Sequence, residues 1–347
     1  MHLPHSQKLP VNLLSAVFNR TTATYKYYWL LALIESVEQG KLEISKRELF
    51  ARMISNSWYT VNYFHLSFGS FDMIEVAILK IRETEGITID ENRPQILNQL
   101  ISSNNKETVR ILNHFDKNVP HWFLSPWFPN KSKKDVYNAS QDFEKKAIYG
   151  LEKDFIKINP LWQNYLNRNS KILKEFCYWN LALFLQTRNP NVPDIPNKLI
   201  KPATRNSLVN QTKDYWKLVF KEMGSIECIF TGNRLDYSEK NFAIDHFVPY
   251  AFVSHDLIWN LAPVDRTFNL SKSDRLPSFD IYFHKFKELQ KIAFEIHLSN
   301  KSSSKYLEEY LTIFPSINSF DEKSFENTIQ PLLTIANNNG FLYFETD

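Results

Sequence analysis

The sequence has little cysteine and little glycine. Two of its 347 residues are cysteine, Cys177 and Cys228, and seven are glycine. Two cysteines are too few for a disulfide framework and fit a reducing compartment. The sequence also lacks any run of about 18 apolar residues and the N-terminal pattern of a secretory signal. We therefore expect a soluble, cytoplasmic protein that has no membrane partner.

The composition is otherwise ordinary for a globular protein, except for its aromatic content. Hydrophobic residues make up 43% and charged residues 23% of the chain, whereas aromatic residues reach 15%. This aromatic excess suits either a thick helical core or a surface that stacks nucleic-acid bases, and we expect most of it to lie in the core. The net charge of +3 and the pI near 8.5 permit nucleic acid as a partner without requiring it.

Residues 1–189 have the pattern of a mostly helical, aromatic-rich domain. Apolar residues three and four positions apart predict a helix over 22–38. Ser45 followed by Glu48 is a capping-box signature that predicts another helix, to about Met53. Further helices are predicted over the segments 71–84, 93–100, 107–115 and 170–186.

The segment 116–130 interrupts the helical pattern. It contains three prolines among four bulky aromatic residues, and proline is excluded from a helix interior. We predict an irregular segment. It either fills a gap between helices, which is the more common role of such a segment, or stacks bases.

Residues 190–206 contain four prolines and no hydrophobic period, which predicts an extended linker. We expect a second domain over 207–300. Its helix should end at Gly224, and a turn near 231–233 should join two short strands over 226–230 and 242–247. A helical extension is expected over 301–347. The helices predicted after the strands cover 279–298, 304–313 and 322–336.

One segment of the second domain combines residues that can carry chemistry. Residues 242–249 read Phe-Ala-Ile-Asp-His-Phe-Val-Pro, so that Asp245 and His246 are adjacent. Asn260 follows fourteen positions after the histidine, Asn269 nine positions later and Lys272 three later. Each of these residues alone is common in loops, caps and solvated helix faces. Their joint spacing within one window is the informative feature.

This segment resembles the HNH endonuclease family, whose small ββα-metal fold cuts phosphodiester bonds. The spacing is most similar to the HNH module of RNA-guided CRISPR effector nucleases, and the resemblance covers about residues 226–277. It implies that Asp245 and Asn269 are metal ligands and that His246 is the general base. It also implies that Asn260 ties the intervening loop together so that the base is oriented.

The residue types fit this chemistry. A divalent ion can bind a non-bridging and a leaving oxygen of a phosphodiester together, and Mg²⁺ accepts one carboxylate and one amide oxygen while it keeps several waters. We therefore expect Mg²⁺ or Mn²⁺ as the cofactor. A histidine can take a proton from water at neutral pH. An excess of cations follows the motif, where phosphates would lie, and the expected nucleic-acid contacts are Lys272, Arg275 and Arg266.

The sequence departs from many HNH proteins at the position of their structural zinc. The first Cys-x-x-Cys pair is reduced to Cys228, and no second pair follows Asn269. Tetrahedral zinc needs four ligands, so we expect no structural zinc. Hydrophobic packing should brace the strands instead, through Ile226, Phe230, Leu235 and Phe242.

The sequence thus predicts an α+β protein, predominantly α-helical, with an embedded ββα-metal module over 207–300 (core 226–277). The predicted function is a Mg²⁺-dependent DNA endonuclease that cuts one strand per active site. Analogy with free-standing HNH proteins adds a role as a bacterial restriction or anti-phage defence effector. An RNA-directed nuclease, or a nucleic-acid-binding or scaffold protein with a vestigial site, remains an alternative. Residues 1–189 could hold substrate, form a homodimer or dock a protein partner.

Overall fold

A computed structural model describes residues 3–200, 207–300 and 304–344. The chain divides into two compact units. The N-terminal unit comprises residues 1–190 and 195–203, and the C-terminal unit comprises residues 191–194 and 204–347. The predicted α+β class is confirmed, because helices predominate over the small antiparallel sheets of the described residues.

The N-terminal unit is built mainly from helices. Its bounds are α1 Val11–Ser15, α2 Tyr25–Glu38, α3 Lys46–Asn62, α4 Met73–Glu85, α5 Arg93–Ser102, α6 Lys106–His114, α7 Val119–Phe123, α8 Lys133–Ser140, α9 Pro160–Arg168, α10 Ser170–Gln186 and α11 Ile195–Ile200. The long helices α2, α3 and α10 enclose its core, which includes the fully buried Trp29 and Trp58. The predicted cap is confirmed, since the Ser45 hydroxyl accepts a hydrogen bond from the Glu48 N–H at 3.1 Å.

The N-terminal unit also contains a small sheet that was not predicted from the sequence. Strands β1 Glu43–Ser45, β2 Tyr149–Leu151 and β3 Phe155–Ile158 pair antiparallel in the order β1-β3-β2. Each strand is only three or four residues long, so none shows a clear alternation in the sequence. Pairing with partners more than 100 residues away decides the conformation of β1.

Two proline-rich segments are more helical than predicted. The segment 116–130 contains α7, in which Pro120 occupies the first turn, where proline costs no hydrogen bond. The predicted linker contains α11 at 195–200, with Pro196 likewise near its start. Residues 201–206 of the predicted linker lie outside the described residues.

The C-terminal unit surrounds two short strand pairs with helices. A π-helical turn, Gln211–Trp216, precedes α12 Lys217–Met223, and the chain turns at Gly224, where φ is +74°. The other elements are β4 Ile226–Glu227, β5 Arg234–Leu235, β6 Phe242–His246, α13 Tyr250–Val253, β7 Leu261–Asp265, α14 Arg266–Lys272, α15 Phe279–Ser299, α16 Ser304–Glu309 and α17 Glu322–Asn338.

The strand pairing differs from the prediction. The segments 226–230 and 242–247 were expected to be the two strands of one hairpin, but β4 pairs with β5 and β6 pairs with β7. The sequence concealed β7 because it contains Pro263. Proline cannot donate to a ladder, but among the described strands β7 pairs with β6 alone and therefore tolerates it. Among the described helices, none combines the length and the apolar character needed to cross a membrane.

Candidate active site

The end of strand β6 presents two adjacent polar side chains. Asp245 pairs with Ala262 and His246 pairs with Leu261, the last pair of the β6–β7 ladder. Both side chains are buried. Neighbouring side chains of a strand leave on opposite faces. In agreement, Asp245 contacts helix α14, and the imidazole of His246 contacts the loop that joins β6 to β7.

Asp245 forms an ion pair in the interior. The Lys272 ammonium lies 2.8 Å from Asp245 Oδ2 and donates a second hydrogen bond, of 2.9 Å, to the main-chain oxygen of His246. Lys272 is 1% exposed and Asp245 is 5% exposed. Burial by itself would raise the pKa of Asp245, but the charge and hydrogen bond of Lys272 outweigh it, so the pKa lies below its usual value. The carboxylate is therefore ionised at neutral pH.

An aromatic cluster covers this ion pair. The Phe230 ring lies 5.9 Å from the Lys272 ammonium and packs on Phe247, Phe268 and Phe344. The residues expected to brace the strands, Ile226, Leu235 and Phe242, are also buried. Cys228 is buried, and its sulfur accepts a hydrogen bond from the Asp265 N–H at 3.3 Å. The predicted hydrophobic packing is thus present around the strands.

The imidazole of His246 is held by two acceptors. Its Nε2 atom lies 3.0 Å from Asp256 Oδ1 and 3.2 Å from the main-chain oxygen of His255. A carbonyl or an ionised carboxylate can only accept, so in the neutral imidazole Nε2 carries the hydrogen and Nδ1 keeps its lone pair. The sequence analysis missed Asp256, because no spacing rule marks a carboxylate inside a loop of this length.

Asn260 fixes the loop that follows His246. Its Oδ1 accepts from the Val248 N–H at 2.8 Å, and its Nδ2 donates to the Val248 carbonyl at the same distance. Asn260 is fully buried, so both bonds are shielded from water. This contact closes the loop 247–260, which carries Asp256. That the closure orients the base, as the resemblance implied, stays a prediction.

Helix α14 begins at an aspartate cap. Asp265 Oδ1 accepts from the N–H groups of Thr267 and Phe268, at 2.8 and 3.1 Å, and its Oδ2 accepts from Asn233 at 2.9 Å. The bonds from Asn233, Thr267 and Phe268 lower the pKa of Asp265 to about 2. The cap fixes the start of the seven-residue helix that carries Asn269 and Lys272.

Asn269 lies one helical turn before Lys272. Residues three apart share a face of a helix, so the turn that directs Lys272 to Asp245 also carries Asn269 on the side that faces β6. Asn269 is half-buried, and its side chain makes no hydrogen bond within the described part of the chain. Its amide oxygen is therefore available to a ligand.

The predicted basic surface is smaller in the structure. Lys272 was expected to contact phosphate but is buried against Asp245, because a buried carboxylate requires a counter-charge. The side chains of Arg266 and Arg275 are exposed, and Arg266 donates to the Phe242 carbonyl at 3.3 Å. Three further lysines that follow the motif form ion pairs with carboxylates, namely Lys285–Glu227, Lys287–Glu322 and Lys291–Glu322.

A family comparison identifies the segment that contains this site. Residues 228–278 match the family model described as HNH endonuclease. The predicted resemblance to the HNH family is confirmed for these residues, and the HNH segment supports nuclease activity. Comparison of the chain with curated proteins and with solved structures gives no match.

The donor set of the HNH site fits a hard divalent cation, which HNH nucleases generally use. Within the described residues, no three His, Cys, Asp or Glu side chains converge to hold a metal. The two residues predicted to be ligands, Asp245 and Asn269, carry a carboxylate and an amide oxygen, which are ligands of the kind that Mg²⁺ accepts together with water. A cationic group already occupies this position. The Lys272 ammonium donates hydrogen bonds to Asp245 Oδ2 and to the main-chain oxygen of His246.

The buried ion pair yields a stability prediction. Lys272→Met leaves Asp245 buried without its partner and should lower the free energy of unfolding by about 3–5 kcal/mol. The double variant Asp245→Leu/Lys272→Met removes both charges and should recover most of this loss. Urea unfolding of the three proteins measures both effects. As a control, Lys285→Met breaks an exposed pair and should change stability by less than about 1 kcal/mol. A Lys272→Met protein as stable as the parent would contradict the burial of this pair.

The Asn260 contact yields a second prediction. Asn260→Ala orphans the buried N–H and C=O of Val248 and should destabilise the protein by about 1–3 kcal/mol for each group. Asn300→Ala is the matched control, because Asn300 is exposed and bonds a single carbonyl of its own helix. Thermal unfolding of the two variants should separate them clearly. Equal melting temperatures would exclude the clamp.

The cap of α14 yields a pH-dependent prediction. Asp265→Ala should cost about 1 kcal/mol at pH 7, and Asp265→Asn, which still caps, should cost less. The folded pKa of about 2 lies below the usual value near 3.9. The contribution of the charge is therefore complete above about pH 5 and is lost as the pH falls toward 2. The stability difference between the parent and Asp265→Ala should shrink in urea titrations at pH 3. A difference that stays constant with pH would contradict this role.

Proposed function

We propose that this protein is a divalent-cation-dependent endonuclease that hydrolyses DNA, one strand per active site. One observation carries the proposal: within the HNH segment, an ionised, buried Asp245 stands next to a histidine whose Nε2 is held by two acceptors. This arrangement provides an anionic ligand for a cation and a neutral nitrogen that can accept a proton, one residue apart. Metal-assisted hydrolysis of a phosphodiester uses both groups, one to hold the ion and one to take a proton from the attacking water.

His246 acts as the general base. With the hydrogen fixed on Nε2, Nδ1 accepts the proton of the attacking water, and the imidazolium that forms is stabilised by the Asp256 carboxylate, 3.0 Å from Nε2. Asn260 keeps this loop closed, so the imidazole is oriented before the substrate arrives.

Asp245 and Asn269 would hold the cation. The bound ion would supply charge neutralisation at the non-bridging oxygen and at the leaving oxygen. A cation bound at Asp245 would lie close to the Lys272 ammonium, and the two positive charges would repel each other. Lys272 would then move from Asp245 toward the phosphate, which it would neutralise together with the exposed Arg266 and Arg275.

The two alternatives predict different outcomes. A scaffold protein with a vestigial site is consistent with the occupation of Asp245 by Lys272, and it would bind nucleic acid without cutting it. An RNA-directed nuclease would use the same groups on a different substrate. The predicted part in anti-phage defence stays a prediction, based on analogy with free-standing HNH proteins.

Plasmid nicking tests the proposal. Supercoiled DNA should become open-circular with Mg²⁺ or Mn²⁺, and EDTA should abolish the reaction. His246→Ala should reduce the rate by about 10²–10⁴-fold, the usual contribution of a general base, while DNA binding persists. The matched control is His284→Ala, which removes an exposed histidine of α15 and should leave the rate unchanged.

The outcomes separate the alternatives. Equal rates for His246→Ala and the parent would refute the assignment of the base. Binding by both proteins with no cutting of plasmid, linear duplex, single-stranded DNA or RNA would favour the scaffold. Cutting of RNA alone would favour the RNA-directed enzyme.

A further inference from the structure

The N-terminal unit contains a cleft of about 920 Å³ that the active site does not explain. Residues of α2, α7 and the loops beside them line it, and they include Trp122, Phe71 and Arg20. Asp and Glu are absent from its lining, which consists entirely of described residues. A mixed aromatic and cationic cleft without acidic groups is the usual chemistry of a site that binds unpaired nucleotides.

Two aromatic side chains of this cleft are exposed without a packing reason. Trp122 is 56% exposed and Phe71 is 84% exposed, whereas Trp127 and Phe128, a few residues after Trp122, are buried. The segment 116–130 thus fills a gap with most of its aromatic residues, as its sequence favoured, but presents Trp122 to the cleft. Two exposed aromatic side chains that line the same cleft offer it faces on which bases can stack.

The charge of the cleft complements a phosphate backbone. Arg20 is exposed and makes no ion pair among the described residues. Lys26 also lines the cleft, where its ammonium donates to the carbonyls of Val17 and Arg20. Two acidic residues lie between lining residues in the sequence. Asp116 is paired with Lys46 and Lys133, and Asp72 is buried and accepts hydrogen bonds from the N–H and the hydroxyl of Thr24.

Polar groups accompany the aromatic faces. Side chains that can both donate and accept hydrogen bonds line the same cleft, namely Asn19, Thr22, Asn118, Ser125 and Asn130. Bases stacked on Trp122 or Phe71 would expose their edges to such groups. Bases of a duplex are already stacked and paired, so they are not available to this surface.

We propose that this cleft binds single-stranded nucleic acid, with bases stacked on Trp122 and Phe71 and phosphates neutralised by Arg20. The inference deepens the proposed nuclease function, on which it rests, by assigning a substrate class: nucleic acid with an unpaired segment. DNA and RNA strands both carry the bases and phosphates that this cleft would bind. The binding test below distinguishes between them.

The test measures binding by the full-length protein in EDTA, where no cutting occurs. The probes are fluorescent dT12, rU12 and a 12-base-pair duplex, followed by anisotropy. Trp122→Ala and Phe71→Ala should each weaken dT12 binding by about 5- to 150-fold, the range for loss of one base–aromatic stack. Trp122→Phe should restore most of the affinity. The matched control, Trp179→Ala, removes a tryptophan that is 54% exposed but lies outside the cleft, and should change nothing.

Salt dependence tests the phosphate contact separately. The plot of log K against log[salt] has a negative slope, and Arg20→Gln should make it less steep by about 0.7 for a single strand. Arg168→Gln, which removes an exposed arginine of α9 outside the cleft, should leave the slope at the parent value. Preference of the parent for dT12 or for rU12 identifies the kind of strand.

Three results would overturn the inference. These are parent-like affinity of both Trp122→Ala and Phe71→Ala, an equal loss in Trp179→Ala, and tighter binding of the duplex than of dT12. A cleft that serves a protein partner would give the first result. The failure is distinct from that of the nuclease proposal, because a protein that nicks plasmid but binds dT12 independently of Trp122 refutes only the cleft. A protein that binds through Trp122 but never cuts refutes only the nuclease.

Discussion

A carboxylate removed from water needs a positive charge close to it, and this constraint organises the C-terminal unit. Asp245 lies at the end of β6 and Lys272 at the end of α14, so their ion pair fixes the helix against the strand. Such a pair contributes little net stability compared with apolar residues of the same volume. The presence of this buried ion pair, where apolar residues would serve stability as well, therefore fits a functional role of the Asp245 carboxylate better than a structural one.

The rest of the site follows from holding this carboxylate and its neighbour in place. The ladder between β6 and β7 ends at His246, and from there the chain is closed by two hydrogen bonds between Asn260 and Val248. The loop inside this closure supplies the acceptors of the imidazole, one from Asp256 and one from the main chain. The orientation of the histidine thus depends on how the loop folds, because both acceptors lie nine or ten residues after it in the sequence.

The sequence predicted candidate residues for the site but not the contacts that the structure shows for them. The joint spacing of Asp245, His246, Asn260 and Asn269 located the HNH segment, in which the Asn260 side chain bonds the main chain of Val248. The spacing could not reveal that Lys272 turns inward, because a helical position is compatible with either solvent or a buried partner until the packing is known. It also could not reveal Asp256, whose position depends on how the loop folds.

The fold was predictable where local signals agree. Helices such as 170–186 and 279–299 follow their apolar periodicity and match the expected bounds closely. Prolines concealed α7, α11 and β7 in the sequence. Their effect depends on whether they occupy the first turn of a helix or a strand with an unpaired side, which the sequence does not show. Short strands whose partners lie far away in the sequence gave no local signal.

The central claim is that Asp245 and Asn269 form a cation site from which Lys272 is displaced. Crystals grown with Mn²⁺ and measured at the manganese absorption edge test it directly. The account predicts an anomalous peak about 2 Å from a side-chain oxygen of Asp245 and from the side-chain oxygen of Asn269, which is the usual distance between such an ion and its oxygen ligands. It also predicts that Lys272 has moved away from Asp245. A crystal saturated with Mn²⁺ that shows no peak there, and in which the ammonium of Lys272 remains on Asp245, would contradict it.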